Sequence, residues 1–312
     1  MPPGVGMKRG EKIGVNAPLP LRDGVAASKV FMPQGTWPSL LAFLLDRFKY
    51  MPADVLRNRL ADGGIVDEAG VAQTLTSPYQ PLRWLWYYRE VPDETPVPFD
   101  LPVLYHDAHL VVVDKPHFLP SIPAGRHLRE TALTRLRDQL DLPQLSPIHR
   151  LDRDTAGVML FCVDQASRGA YQVLFQSRRV NKEYEAVAAV RADLRLPLVR
   201  CSRIEAMSPG FMVREVGGSP NSETHIELIE RRGDLGRYRL RPHTGRKHQL
   251  RLHMSALGIP VCNDRFYPEL QPYRDADDFS DPLQLLARSI EFDDPFSGRR
   301  RRFESLRQLS AW

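Results

Sequence analysis

His149-Arg150-Leu151-Asp152-Arg153-Asp154-Thr155-Ala156-Gly157 runs directly into the apolar stretch Val158-Met159-Leu160-Phe161-Cys162-Val163. The apolar stretch has the length and composition of a buried strand. Asp152 therefore falls in a loop at the mouth of a core strand, where a rigid scaffold can hold a reactive carboxylate. A surface turn whose charges cap nearby amides is the plainer alternative. A protein-kinase catalytic loop also begins His-Arg, but its third residue is Asp, whereas Leu151 stands here and no glycine-rich phosphate loop lies upstream.

Working outward, Leu110-Val111-Val112-Val113-Asp114-Lys115-Pro116 reads as a strand entering a turn, followed by a loop from Pro120 to Gly125. A helix is expected from near Asp164 to Arg178 and Arg179. The strand after it, Val180 to Val187, puts Lys182, Tyr184 and Ala186 on one face. In Arg241-Pro242-His243-Thr244-Gly245-Arg246-Lys247-His248-Gln249-Leu250-Arg251-Leu252-His253, Thr244 is a plausible helix N-cap. Leu250, Met254 and Leu257 then recur at helical spacing, and Gly258 can end the helix. The spaced glycines of a phosphate-binding loop are missing. Leu285-Leu286-Ala287-Arg288, with Ile290 and Phe292, reads mainly as a core strand.

These segments, in this order, resemble the motifs of the RluA family of RNA pseudouridine synthases over roughly residues 100 to 310. Asp114 stands where that family often has Asn, and Lys247 where it often has Thr. The resemblance implies an α+β fold with a large mixed, mainly antiparallel sheet around a central cleft. It implies that Asp152 is the essential carboxylate, that Tyr184 stacks on the target uracil, and that Arg251 pairs with the aspartate. Arg150 would enter the space left by a flipped base. His149, Lys182, Arg246, His248, Leu250 and Leu286 would contact the substrate, with Leu250 and Leu286 beside the uracil. Lys115 would either meet a phosphate or brace the active-site loop. The implied reaction is redox-neutral and requires no cofactor, metal or nucleotide. Asp152 could act as nucleophile or as base.

Before the catalytic region (103–312), residues 1–36 are rich in Gly, Pro and polar residues and are expected to be an extended or disordered tail. Residues 37–90 read as helix, helix, strand, with Pro52 suited to a helix first turn. This unit resembles the small alpha-L-type RNA-binding module, with Arg57, Asn58, Arg59 and Asp62 on or near its RNA-facing helix. The aromatics Trp84, Trp86, Tyr87 and Tyr88 read as core. Residues 91–102, with Pro92, Pro96, Pro98 and Pro102, read as a stiff linker.

The formal charge of +5 and isoelectric point near 9.2 fit a polyanionic partner without requiring one. Most of the positive charge is arginine, which suits bidentate phosphate contacts, although genomic base composition explains it equally well. Cys162, Cys201 and Cys262 suggest neither a disulfide framework nor a metal site. No apolar run is long enough to span a membrane and the N-terminus lacks a secretory apolar core, so a cytoplasmic protein is the default. The expected partner is ribosomal RNA or tRNA, ribosomal RNA being favoured, and the expected state a monomer. The alternatives are a catalytically weak RNA-binding or ribosome-assembly factor on the same fold, and a glycosidase, which would need a second cooperating carboxylate.

Overall fold

A computed structural model describes residues 17–90, 93–207 and 210–312. The chain divides into two units, Met1–Val91 and Pro92–Trp312. The first contains β1 (Ser28–Met32), α1 (Leu40–Arg47), α2 (Ala53–Ala61), β2 (Ile65–Val66) and β3 (Arg83–Tyr87), with the antiparallel sheet order β1-β3-β2. Helix α1 starts where the Ser39 hydroxyl accepts a hydrogen bond from Ala42 N. Its Leu40, Phe43 and Leu44 pack with Leu56 and Leu60 of α2 and with Val30, Met32 and Leu85 of the sheet. Trp86 and Tyr87 are buried.

The expected tail is therefore partly a strand. Val30 and Met32 alternate inward against β3, a pattern hidden in the sequence by the Gly- and Pro-rich stretches around it. The rest of that tail, up to residue 16, lies outside the described residues.

The second unit contains β4 (Val103–His106), β5 (Leu110–Lys115), α3 (Ala132–Gln139), β6 (Ser146–Pro147), β7 (Ala156–Cys162), α4 (Gln165–Gln176), β8 (Val180–Ala189), β9 (Leu198–Ala206), β10 (Val213–Val216), β11 (Ser222–Arg232), β12 (Leu235–Pro242), α5 (Gln249–Ala256), β13 (Leu285–Asp293) and β14 (Arg300–Glu304). Nine strands form the path β10-β9-β11-β12-β8-β13-β7-β5-β4, with β14 beside β13 and β6 beside β7. Among the described residues only β13 and β7 pair in parallel. The run from Ala156 to Cys162 is apolar throughout because both its faces are covered. Met159 and Phe161 face α3 through Leu133 and Leu136, while Val158, Leu160 and Cys162 face α4 through Tyr171 and Leu174. Each such aliphatic side chain contributes roughly 1.5–3 kcal/mol.

The proline-rich segment expected as a linker is anchored to this second unit. Val97 and Leu101 are buried. The Glu94 carboxylate accepts from the amides of Leu128, Arg129 and Glu130. Arg135 donates to the carbonyls of Val97 and Phe99. Residues 91 and 92 lie outside the described residues.

The parallel junction needs a glycine. Gly157 has φ +114°, and a Cβ there would lie 2.7 Å from Ala287 N and closer still to the Ala287 carbonyl. Gly157→Ala is expected to destabilise the second unit by about 2–5 kcal/mol, combining overpacking with a strained dihedral. A lower urea midpoint at unchanged slope checks this. An unchanged midpoint would mean that β7 and β13 part freely. No helix among the described residues is long and apolar enough to cross a membrane.

Candidate active site

Asp152 lies between β6 and β7, in a loop pinned from beneath. The Lys115 ammonium at the end of β5 is fully buried and donates to the carbonyls of Pro116, Leu119 and Arg153. Burial holds its pKa down at about 7, against the pull of Asp154 and Asp152. All three of its donors are used by backbone, so Lys115 braces the loop and is not placed to meet RNA. Ser121 Oγ donates to Leu151 O and accepts from Leu151 N. His149 Nε2 accepts from Leu160 N, and its ring stacks on Phe175 at 4.9 Å. Burial and then Lys182 push the His149 pKa down to about 3, so the imidazole is neutral and anchors the motif to β7.

The Asp152 carboxylate, one-quarter exposed, faces α5. Arg251 Nη1 stands 3.7 Å from Asp152 Oδ2 and has no hydrogen-bond partner, although it is buried. The other edge of that guanidinium is held by Asp264, with Nε–Oδ2 at 2.7 Å and Nη2–Oδ1 at 2.6 Å. Both partners are almost wholly out of solvent, at 1% and 0% exposed. Burial opposes the Arg251 charge, but the bonds and charge of Asp264, then the charge of Asp152, outweigh it and hold its pKa above the usual arginine value. Asp264 Oδ1 also accepts from the amides of Phe266 and Tyr267, and the guanidinium lies over the Phe266 ring at 4.6 Å. The hydrogen-bonded partner of Arg251 is thus Asp264, and Asp152 receives its free corner.

His248 Nε2 is 3.9 Å from Asp152 Oδ2, and its Nδ1 is 3.0 Å from the Tyr267 hydroxyl. Burial keeps the His248 pKa down at about 4, against the pull of Asp152, so at neutral pH this contact is not an ion pair. His248 adopts a left-handed conformation, φ 52°, immediately before α5. Thr244 does not cap that helix. Its hydroxyl accepts from Glu223 N and donates to Gln249 Oε1, which also accepts from Arg246 N. This knot draws residues 244–248 into a compact turn, and the helix begins only at Gln249. Gly258 follows the helix end with φ +74°, as its place in the sequence suggested.

Asp152, Arg150, Lys182, Tyr184, Arg246, His248, Leu250, Arg251 and Leu285 line one pocket. Asp152 is its only carboxylate among the described residues. Burial and then the Asp152 charge push the Tyr184 pKa up, so its phenol stays protonated. Lys182 donates to Thr244 O at 3.3 Å, and burial lowers its pKa to about 8.

Leu286 does not line the pocket. It packs with Ala156, Val187 and Leu309 on the opposite face, and the preceding residue, Leu285, takes the pocket position beside Leu250 and Tyr184. In the first unit Arg57 is exposed. Arg59 is engaged with Met51 Sδ, Glu90 and the Tyr87 ring. Sequence reading missed Asp264, Tyr267 and Leu285. For Asp264 the only signal was a lone acid after the apolar run Ile259 to Cys262.

The family model described as RNA pseudouridylate synthase matches residues 109–256, the span holding Asp152, Tyr184 and Arg251. The dual-specificity RNA pseudouridine synthase RluA of Escherichia coli is 37% identical over 175 residues, 54% of this chain and 77% of that protein. The Salmonella typhimurium RluA is 33% identical over 211 residues, 65% of this chain and 92% of its own. Among solved structures, human RNA Pseudouridylate Synthase Domain Containing 1 superposes with a TM-score of 0.54 at 25% identity, covering 67% of this chain and 84% of that one. Fold and sequence together define an RNA pseudouridine synthase, an enzyme that isomerises uridine within RNA. The chain belongs to the RluA family of these enzymes.

Proposed function

We propose that Asp152 is the catalytic carboxylate and that the target uridine leaves its stack to reach it. The observation that carries this reading is the pairing of a partly exposed carboxylate with a buried, unpartnered guanidinium nitrogen, Arg251 Nη1, beside the Tyr184 phenol. Pseudouridine formation breaks the C1′–N1 bond, turns the uracil and joins C1′ to C5. N1 gains a proton and C5 loses one, so no oxidant or energy source enters. Asp152 serves either as nucleophile at C1′ or as base toward the 2′ proton. A primary isotope effect with 2′-deuterated uridine identifies the second route.

Tyr184 supplies a stacking face, worth on the order of 1–3 kcal/mol per base, and a neutral hydroxyl for proton transfer. Tyr184→Phe should keep RNA affinity within about twofold while slowing turnover by about 10²-fold or more. Tyr184→Ala should lose affinity as well. Equal behaviour of the two variants in single-turnover assays would refute the stacking role.

A glycosidase would need a second cooperating carboxylate, and among the described residues the pocket has only Asp152. A catalytically weak RNA-binding factor would have no use for a buried arginine held beside an aspartate at the cost of desolvation. The substrate we favour is structured ribosomal RNA before tRNA, for a monomer acting in the cytoplasm, with the first unit adding RNA surface through Arg57. Two relatives are named dual-specificity enzymes, which supports an RNA loop whose shape, more than its source, is read. Mapping pseudouridines in total RNA from cells with and without the gene tests this. A uridine modified only in its presence is expected, and no difference would reject the assignment.

A further inference from the structure

Beside the Asp152 pocket lies a second, larger cavity, about 580 Å³ against about 120 Å³ for the pocket itself. The two adjoin, sharing Arg150, Lys182, Tyr184 and Arg246 in their walls. The smaller can take one base, and the larger is an open trough with room for chain. Its wall is the stacked pair His149 and Phe175. Four cationic side chains, Arg150, Arg178, Lys182 and Arg246, line it, and among its described lining residues there is no carboxylate. None of the four forms an ion pair among the described residues. The arginines of the neighbouring sheet face differ, because Arg239 and Arg241 are both paired with Glu183 and Glu227.

Arg178 occupies an unusual position. It has φ 57° just past the end of α4, where Arg178 N donates to Phe175 O and Arg179 N to Leu174 O. Helix ends of this shape favour glycine, since a Cβ is disfavoured in the left-handed region. The chain nonetheless keeps a long, exposed, unpaired arginine there, at the rim of the trough.

We propose that this trough seats the phosphodiester backbone of the RNA strand adjoining the extruded uridine, with Arg178 as a phosphate contact. The inference rests on the reading of Asp152 above for the position of the uridine. Its contacts carry affinity and no base preference. Counterions released from each neutralised phosphate make the binding salt-dependent.

Arg178→Gly and Arg178→Glu, in the full chain, test it. Binding is read by fluorescence anisotropy across a KCl series, with an unmodified transcript carrying the mapped uridine and with bulk tRNA as a second probe. Arg178→Gly should weaken binding about fivefold or more, and the slope of log K against log salt should shrink by about 0.7–0.9. The unfolding midpoint should hold or rise, which no purely structural role for the arginine would give. Arg178→Glu should weaken binding further. At saturating RNA, kcat should stay within about twofold for both. Arg195→Glu, an exposed charge outside the trough, should change affinity less than twofold. Wild-type affinity and slope in the Arg178 variants, or an equal loss in Arg195→Glu, would overturn the proposal. Absence of turnover in every protein, wild type included, would instead reject the Asp152 reading, and the binding curves would still decide the trough.

Discussion

Asp152→Asn is expected to remove turnover, by about 10⁴-fold or more, while RNA affinity stays within about threefold. The exchange keeps the shape of the side chain and deletes its negative charge. A neutral amide can neither attack C1′ nor accept the 2′ proton, so either route loses its reacting oxygen. A factor of 10⁴ corresponds to about 5.5 kcal/mol of barrier. The pair with Arg251 is held at 3.7 Å without a hydrogen bond, and the guanidinium keeps both bonds to Asp264. The fold should therefore survive. Single-turnover assays, read beside an unfolding curve and a binding isotherm, separate these effects. Turnover persisting in a pure preparation of the variant would sink the catalytic role of Asp152.

The second large effect is expected at Asp264, which does not itself line the pocket but holds Arg251, which does. Arg251 and Asp264 are both almost fully buried, and removing one partner of such a pair leaves an uncompensated charge. Asp264→Ala is expected to cost about 3–5 kcal/mol of stability. It should also lower kcat, because the freed guanidinium no longer presents Nη1 at a fixed place beside Asp152. Asp264→Asn keeps the volume and one acceptor, so it should fold. It is expected to lower kcat about 10²-fold with KM within about twofold, in line with small displacements at reacting groups. That split between kcat and KM distinguishes positioning from RNA binding. A wild-type kcat for a folded Asp264→Asn enzyme would show that Arg251 needs no second anchor.

Much of the site was legible because its parts are contiguous in sequence. The loop from His149 to Gly157 and the strand after it hold Asp152 at the mouth of a central strand through local hydrogen bonds and a fully buried strand. Likewise, the alternation of Lys182, Tyr184 and Ala186 on β8 follows from strand geometry alone. The choice between Leu285 and Leu286 was not legible. Adjacent strand residues face opposite ways, and two neighbouring leucines carry no phase. Here β13 also shifts register against β8 between Ala287 and Ser289, so counting back from the clearer part of the strand gives no answer. Lys115 reads in sequence as a charge available to phosphate, and only the convergence of three carbonyls from two loops turns it into a brace. The helical N-cap expected at Thr244 lost to tertiary partners, Glu223 N and Gln249, which its hydroxyl meets only after β11, β12 and the turn have come together.

The sequence by itself determined which segments form the central strands, because strand period and buried composition are local properties of the chain; that Asp152, Tyr184 and Arg251 meet was implied only by the resemblance of their motifs to the RluA family. The tertiary structure alone decided how the guanidinium is aimed. Its anchor, Asp264, comes from a loop beyond α5 and has no sequence pattern linking it to Arg251. Desolvation makes that pairing strong, and desolvation arises only when distant segments close over both charges.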